Sequence, residues 1–277
     1  MVDIIKASGE KEEFSQEKIN QSLKRAGVEN ALAQKITNEI SKKAHPGMGS
    51  SEIFKEVFSS LKKEEPIAAL RYNLKKAIMD LGPTGFPFEK YIAKILEEYG
   101  YNTEVGRLVR GHCVTHEVDV VARKGDQHFM VECKYHNSQG IHSDVKVALY
   151  TQARFLDIKQ VWEEMPGHKY FFHQAWLVTN TKCTSQAVRY ANCVGLKIVS
   201  WRYPKEESLE RLIEKKNLYP VTILSLPRFF KEQLIQNNIV LVKDLLRYTP
   251  QNLSNMIKLR LGVASRIQRE ARDLCHY

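Results

Sequence analysis

Glu117-Val118-Asp119-Val120-Val121-Ala122, then Lys124-Gly125-Asp126, then His128-Phe129-Met130-Val131-Glu132-Cys133-Lys134-Tyr135 is the stretch that decides how this chain folds. Two runs rich in β-branched and apolar residues flank a Gly-Asp turn, which predicts a pair of adjacent strands. Side chains alternate along a strand, so residues two apart share a face. On the second strand Glu132 and Lys134 therefore point one way, while Phe129, Val131, Cys133 and Tyr135 point the other way into apolar packing. On the first strand Asp119 shares its face with Glu117, and Val118 and Val120 pack behind. The two strands thus bring Asp119, Glu132 and Lys134 together on a polar patch of an otherwise apolar sheet.

Such a patch has a chemical use. Two carboxylates are hard oxygen donors suited to Mg2+ or Mn2+. A divalent ion between them acidifies water and stabilises charge on a scissile phosphate, and a neighbouring ammonium orients the nucleophile or neutralises the transition state. An ion-paired strand on a solvated face would carry a lone Glu-x-Lys triplet equally well. The strand–turn–strand layout, with thirteen residues from Asp119 to Glu132, is what favours the functional reading. Upstream, Glu89 lies on the edge of the Phe88/Ile92/Ile95 helical stripe and is expected to face the sheet. Downstream, Lys146, Gln152 and Arg154 are candidates for phosphate or base contacts with DNA.

Outward from this core the pattern continues as alternating helix and strand. A helix is expected around residues 145–155, a strand at 174–179, a helix at 185–192 and a strand at 197–201. Together these make an α/β fold with a mixed sheet. Residues 1–82 read as a short strand-like start with a turn at Ser8-Gly9, followed by helices. One helix is capped by Ser15, a second covers 31–43, a third starts at Ser50 and a fourth runs over 66–79. Residues 205–277 read as all helix. The expected domains are therefore 1–82, 83–204 and 205–277.

The 277 residues carry a formal net charge of +10, which suits a polyanionic partner, nucleic acid first. No apolar run is long enough to span a membrane. The segment Met1 to Lys6 lacks the pattern of a signal peptide, and the five cysteines include no CxxC pair, so cytoplasmic residence with reduced thiols is expected.

Residues 85–201 resemble the Mrr-type restriction endonucleases of the PD-(D/E)XK superfamily. The resemblance rests on Gly85-Phe86-Pro87-Phe88-Glu89, Glu117-Val118-Asp119-Val120, Val131-Glu132-Cys133-Lys134-Tyr135 and Trp176-Leu177-Val178-Thr179-Asn180. It implies a central restriction-endonuclease-like mixed sheet flanked by helices. It also implies Asp119 and Glu132 as metal ligands, Lys134 as the catalytic lysine and Glu89 as a supporting acid. Many such enzymes carry Gln where Glu132 stands, and a glycine-rich approach where this chain has His116-Glu117.

The first zone resembles the ATP cone, a regulatory nucleotide-binding domain. The matching residues are Ile5-Lys6-Ala7-Ser8-Gly9, Glu17-Lys18-Ile19, Ser50-Ser51-Glu52-Ile53 and Ala69-Leu70-Arg71-Tyr72-Asn73-Leu74. Lys6, Lys18, Ser50 and Arg71 are the candidate ligands of ATP or dATP. The third zone resembles a helix-hairpin-helix unit over 234–271, with Lys258, Arg260, Arg266 and Arg269 supplying charge, and dimerisation is an equal alternative for it. The function these resemblances imply is a metal-dependent DNA endonuclease of restriction or phage defence, regulated by a nucleotide and working as a homodimer or higher homo-oligomer. The alternatives are a structure-specific repair or junction nuclease, a nucleotide-responsive DNA-binding protein without cleavage, and action on RNA.

Overall fold

The computed structural model of the chain describes residues 2–164 and 172–275. Strands β1 (Asp3–Ile5) and β2 (Lys11–Glu13) form a small antiparallel hairpin whose turn carries Gly9 at φ 84°. Helices α1 (Gln16–Arg25), α2 (Asn30–Lys43), α3 (Ser50–Glu64) and α4 (Pro66–Tyr72) follow. The Ser15 hydroxyl caps α1 by accepting from the Lys18 amide at 3.3 Å. Ile19, Leu23, Ile36, Ile40, Val57 and Leu61 fuse these helices around a core of their own.

The expected fourth helix is not continuous. It breaks at Asn73, and α5 (Leu74–Met79) starts anew. The break coincides with a change of packing partner. Ala68 and Ala69 belong to the N-terminal core, whereas Leu70, Leu74, Ala77 and Ile78 are buried in the next one. A straight helix would keep one face on one partner.

Next come α6 (Phe86–Glu98), β3 (Asn102–Arg110), β4 (Thr115–Lys124), β5 (Gln127–Lys134), β6 (His142–Ser143) and α7 (Val145–Glu164). They are followed by β7 (Phe172–Thr179), β8 (Lys182–Cys183), α8 (Ser185–Val194) and β9 (Lys197–Val199). The main sheet runs β3-β4-β5-β7-β9, antiparallel over β3, β4 and β5 and parallel over β5, β7 and β9. The mixed α/β sandwich read from the sequence is therefore the fold. β5 lies at the centre and is packed on both faces. Phe129, Val131 and Cys133 face the layer containing α6, and Met130 faces the layer containing α7 and α8.

The C-terminal residues form α9 (Leu209–Lys215), α10 (Arg228–Gln236), α11 (Pro250–Ile257) and α12 (Leu261–Cys275), with 3-10 turns at Val221–Ile223 and Val242–Arg247. Their apolar residues share one continuous core with α6 and the sheet, from Leu70 through Leu274. Between α11 and α12, Lys258 takes the left-handed conformation at φ 53°, a position that glycine usually fills.

Candidate active site

The β4–β5 ladder pairs Lys124 with Gln127 and ends at Val120 opposite Val131. Beyond that point the strands part, and the Cys133 amide would be left without a ladder partner. Asp119 supplies one, its Oδ2 accepting from Cys133 N at 2.7 Å. The first candidate acid is thus fastened to the strand that carries the second, at the place where the sheet opens. Glu132 and Lys134 flank Cys133 on β5, with Glu132 half-buried and Lys134 exposed.

Glu132 is gripped from α7. Arg154 donates from Nη1 to Glu132 Oε2 and from Nη2 to the Glu117 carbonyl. Both side chains of the pair are mostly buried, at 10% and 15% exposure. Glu89, in the first turn of α6, completes the acidic cluster. Burial pushes its carboxyl up to about 7, with Asp119 and then Glu117 pressing in the same direction. Burial also raises Glu132 to about 7; Asp119 and Glu89 add to the rise, and Arg154 and Lys134 oppose it. Asp119 is raised by burial, and its bond from the Cys133 amide and the charge of Arg154 offset part of the rise.

Glu89, Asp119 and Glu132, all raised by burial and by neighbouring carboxylates, form a locus short of positive charge. Their oxygens are the donor set a hard divalent cation prefers. Among the described residues no three His, Cys, Asp or Glu side chains close into a ready-made cage. Asp119 and Glu132 are therefore the direct ligand candidates, with solvent to complete the shell, and Glu89 stands behind them. The residues present fit Mg2+ or Mn2+ on these grounds.

The remaining sequence candidates fall in different places. Lys146 is exposed at the start of α7. Gln152 and Arg154, expected to reach toward DNA, are 8% and 9% exposed, and Arg154 turns inward onto Glu132. The turn of α7 and the side-chain period decide this, because Arg154 lies beside Phe155 on the helix face against the sheet. In the N-terminal zone, Lys18 and Lys6 both pair with Glu12, Lys6 at 3.7 Å. Ser50 and Arg71 line a cavity of about 500 Å3. Arg71 also donates to the Asp273 carbonyl at 3.4 Å.

One functional neighbour escaped the sequence reading. Asp157, a turn further along α7, ties down the β3–β4 turn. It accepts from the Cys113 and Val114 amides at 2.7 and 3.3 Å and pairs with His116 at 2.7 Å. These donors, the Cys113 amide first and His116 next, hold its carboxyl well below the usual carboxylate range. A lone Asp in a helix gave no sequence signal for this.

A mixed sheet that delivers two acids and a lysine to one opened strand edge, packed between helical layers, defines a nuclease of the restriction-endonuclease type. The restriction endonuclease family model matches residues 83–202, the ATP cone domain matches residues 2–75, and the AF1548-like C-terminal family matches residues 219–275. The chain belongs to the Mrr-type restriction endonuclease family and carries an N-terminal ATP cone. An uncharacterized protein of Archaeoglobus fulgidus is 37% identical over 179 residues, covering 65% of this chain and 94% of the relative. The crystal structure of a protein of unknown function, AF1548, is similar with a TM-score of 0.59 at 35% identity, covering 70% of this chain and 99% of that one. Among the described residues no helix is long and apolar enough to cross a membrane.

Proposed function

We propose that the chain is a metal-dependent DNA endonuclease of the type IV, Mrr-like kind, acting in restriction or phage defence and governed by ATP or dATP. The observation that carries this reading is the opened β4–β5 edge, where Asp119 bridges to Cys133 beside Glu132 and Lys134. When bound by Asp119 and Glu132, a divalent cation supplies Lewis acidity toward the scissile phosphate. Lys134 donates toward the attacking water or the phosphate oxygens. Glu89, with its carboxyl near 7, is matched to accept a proton at neutral pH. Arg154 keeps Glu132 oriented. The net charge of +10 favours a nucleic acid partner, and cutting both strands calls for a homodimer or higher homo-oligomer.

The test is cleavage of supercoiled plasmid, methylated and unmethylated, with Mg2+ or Mn2+ and with ATP or dATP. Lys134→Ala and Asp119→Asn should each lower cleavage by about a hundredfold or more. Asp119→Asn keeps an acceptor for the Cys133 amide, so it should fold like the parent. Equal cutting by these variants would remove the catalytic assignment. A branched DNA substrate belongs in the same assay. The α11–Lys258–α12 turn supports a second reading, a structure-specific nuclease, which predicts preference for junctions over linear duplex.

A further inference from the structure

The cavity that Ser50 and Arg71 line does not belong to the N-terminal zone alone. Its opposite wall comes from the nuclease: Gln139 from the segment after β5, and Trp201 and Arg202 from the segment after β9. β5 and β9 run parallel through β7, so both segments leave the carboxyl ends of the strands. That edge of an open α/β sheet is where loops are free to form a ligand crevice.

The lining holds six cationic side chains, Arg25, Lys55, Arg71, Lys75, Lys76 and Arg202, against two carboxylates, Glu210 and Glu214. Arg202 already occupies Glu210 at 3.0 and 3.4 Å. Among the described residues Lys55, Lys75 and Lys76 make no ion pair. Burial, and then the nearby Arg202, depress both Arg25 and Lys75. With six cations facing two carboxylates, the lining carries an excess of positive charge suited to an anion. Aromatic faces stand beside them: Phe54 stacks on Tyr72 with centroids 5.2 Å apart, and Lys75 lies over the Trp201 ring. Cations for phosphates, aromatic surface for a base and a volume within the usual range for small-molecule sites together describe a nucleoside polyphosphate.

We propose that the regulatory nucleotide is bound in the seam between the cone and the nuclease, with Gln139, Trp201 and Arg202 of the nuclease completing a site that Arg25, Ser50 and Lys75 begin. This rests on the reading of the N-terminal zone as a nucleotide-responsive regulator. It adds the route by which occupancy reaches the catalytic strand. Gln139 lies five residues beyond Lys134. Between them His136 is locked to Asn180, whose side chain accepts from the His136 amide at 2.9 Å and donates to its carbonyl at 2.7 Å. Just past Gln139, Gly140 at φ 85° touches the cone hairpin, where an added Cβ would stand 3.0 Å from the Ser8 amide and 3.1 Å from the Ala7 carbonyl carbon. A ligand that draws the two walls together therefore acts on a short, pinned segment leading directly from Lys134.

The experiment is ATP titration of the full chain by calorimetry and by tryptophan emission, repeated with dATP. The parent should bind, and its emission should change. Trp201→Phe should lose that change. Arg202→Gln, an exposed position, should weaken ATP binding at least tenfold while melting like the parent and cleaving like it without nucleotide. If the parent binds ATP but Arg202→Gln binds equally well and Trp201 is silent, the cone binds alone and the shared site is wrong, while nucleotide regulation stands. If neither ATP nor dATP binds the parent, both the shared site and the regulatory reading fall.

Discussion

An arginine that is only 9% exposed must find its counter-charge inside the protein, and Arg154 finds it on Glu132. The pair serves the site in both directions, since Arg154 draws down a carboxyl that burial would otherwise push higher. Arg154→Gln should therefore move the pH profile of cleavage toward alkaline pH by about one unit. It should also cost up to about 3 kcal/mol of stability at pH 8 and less at pH 6, where Glu132 escapes the penalty by protonation. A pH–rate profile beside thermal unfolding at both values checks this, and an unchanged profile would show that the pair does not tune the acid.

The same carboxyls set the metal dependence. Folded Glu132 sits near 7 against an ordinary 4.5, so without metal its protonated form contributes stability fully below pH 4.5. That contribution is lost as pH rises through about 7, because the folded state binds more protons than the unfolded one across this window. A divalent cation takes the ionised form, so its affinity runs the other way. Mn2+ affinity should climb by about fivefold between pH 6 and 7 and level off above. Calorimetric titration in buffers of differing ionisation enthalpy would register the released proton. Glu132 and Lys134 were legible from the two-residue period of β5, but on β4 the period slips at Asp119, because Val118 packs in the α7 layer and Val120 in the α6 layer, not together as the sequence pattern predicts. The Arg154 pairing was not legible, because it depends on where α7 crosses the sheet and no spacing in the chain encodes that.

At the scale of elements, the β3–β4 hairpin shows what a strand pattern hides. β3 is an edge strand with only Val109 buried and Gly106 in its middle, so it offers no apolar alternation to read. What fixes it is the turn held by Asp157. Gly111 sits inside that clamp: a Cβ there would stand 2.1 Å from Asp157 Oδ2 and 2.6 Å from the Val114 carbonyl oxygen. The second neighbour is backbone and cannot rotate away. Gly111→Ala should destabilise by about 1–3 kcal/mol and leave His116 without its held partner. Thermal unfolding, with His116 followed by NMR, is the check; an unaltered melt would mean that the clamp yields freely. The strand pairs β4–β5 and β7–β9 were legible because buried strands must be apolar. The break in the fourth helix was not, since Asn73 is tolerated in many helices and only the exchange of cores explains it.

On the scale of the molecule, the C-terminal helices read from sequence as a separate module, yet their apolar faces enter the nuclease core. Leu218, Val221, Leu234 and Leu241 lie in one cluster with Phe88, Tyr91, Ile92 and Ile95 of α6. Polar bonds stitch the same seam. Tyr91 donates to the Leu218 carbonyl at 2.7 Å, Tyr99 to the Leu212 carbonyl at 3.0 Å and Thr222 to the Ala77 carbonyl at 2.6 Å. Amphipathic periodicity shows that a helix has an apolar face but not whose core receives it. Ending the chain after residue 204 would bare the α6 stripe. Re-exposing each of four such side chains forfeits roughly 1.5–3 kcal/mol, which together rivals the whole net stability of about 5–15 kcal/mol typical of a domain. Residues 83–204 should thus show no cooperative melt. Residues 66–277, cut ahead of the handover between cores, should retain one, because the N-terminal helices pack around a cluster of their own. A cooperative melt of residues 83–204 at the parent's temperature would mean instead that the C-terminal helices only rest on a nuclease core that is complete without them.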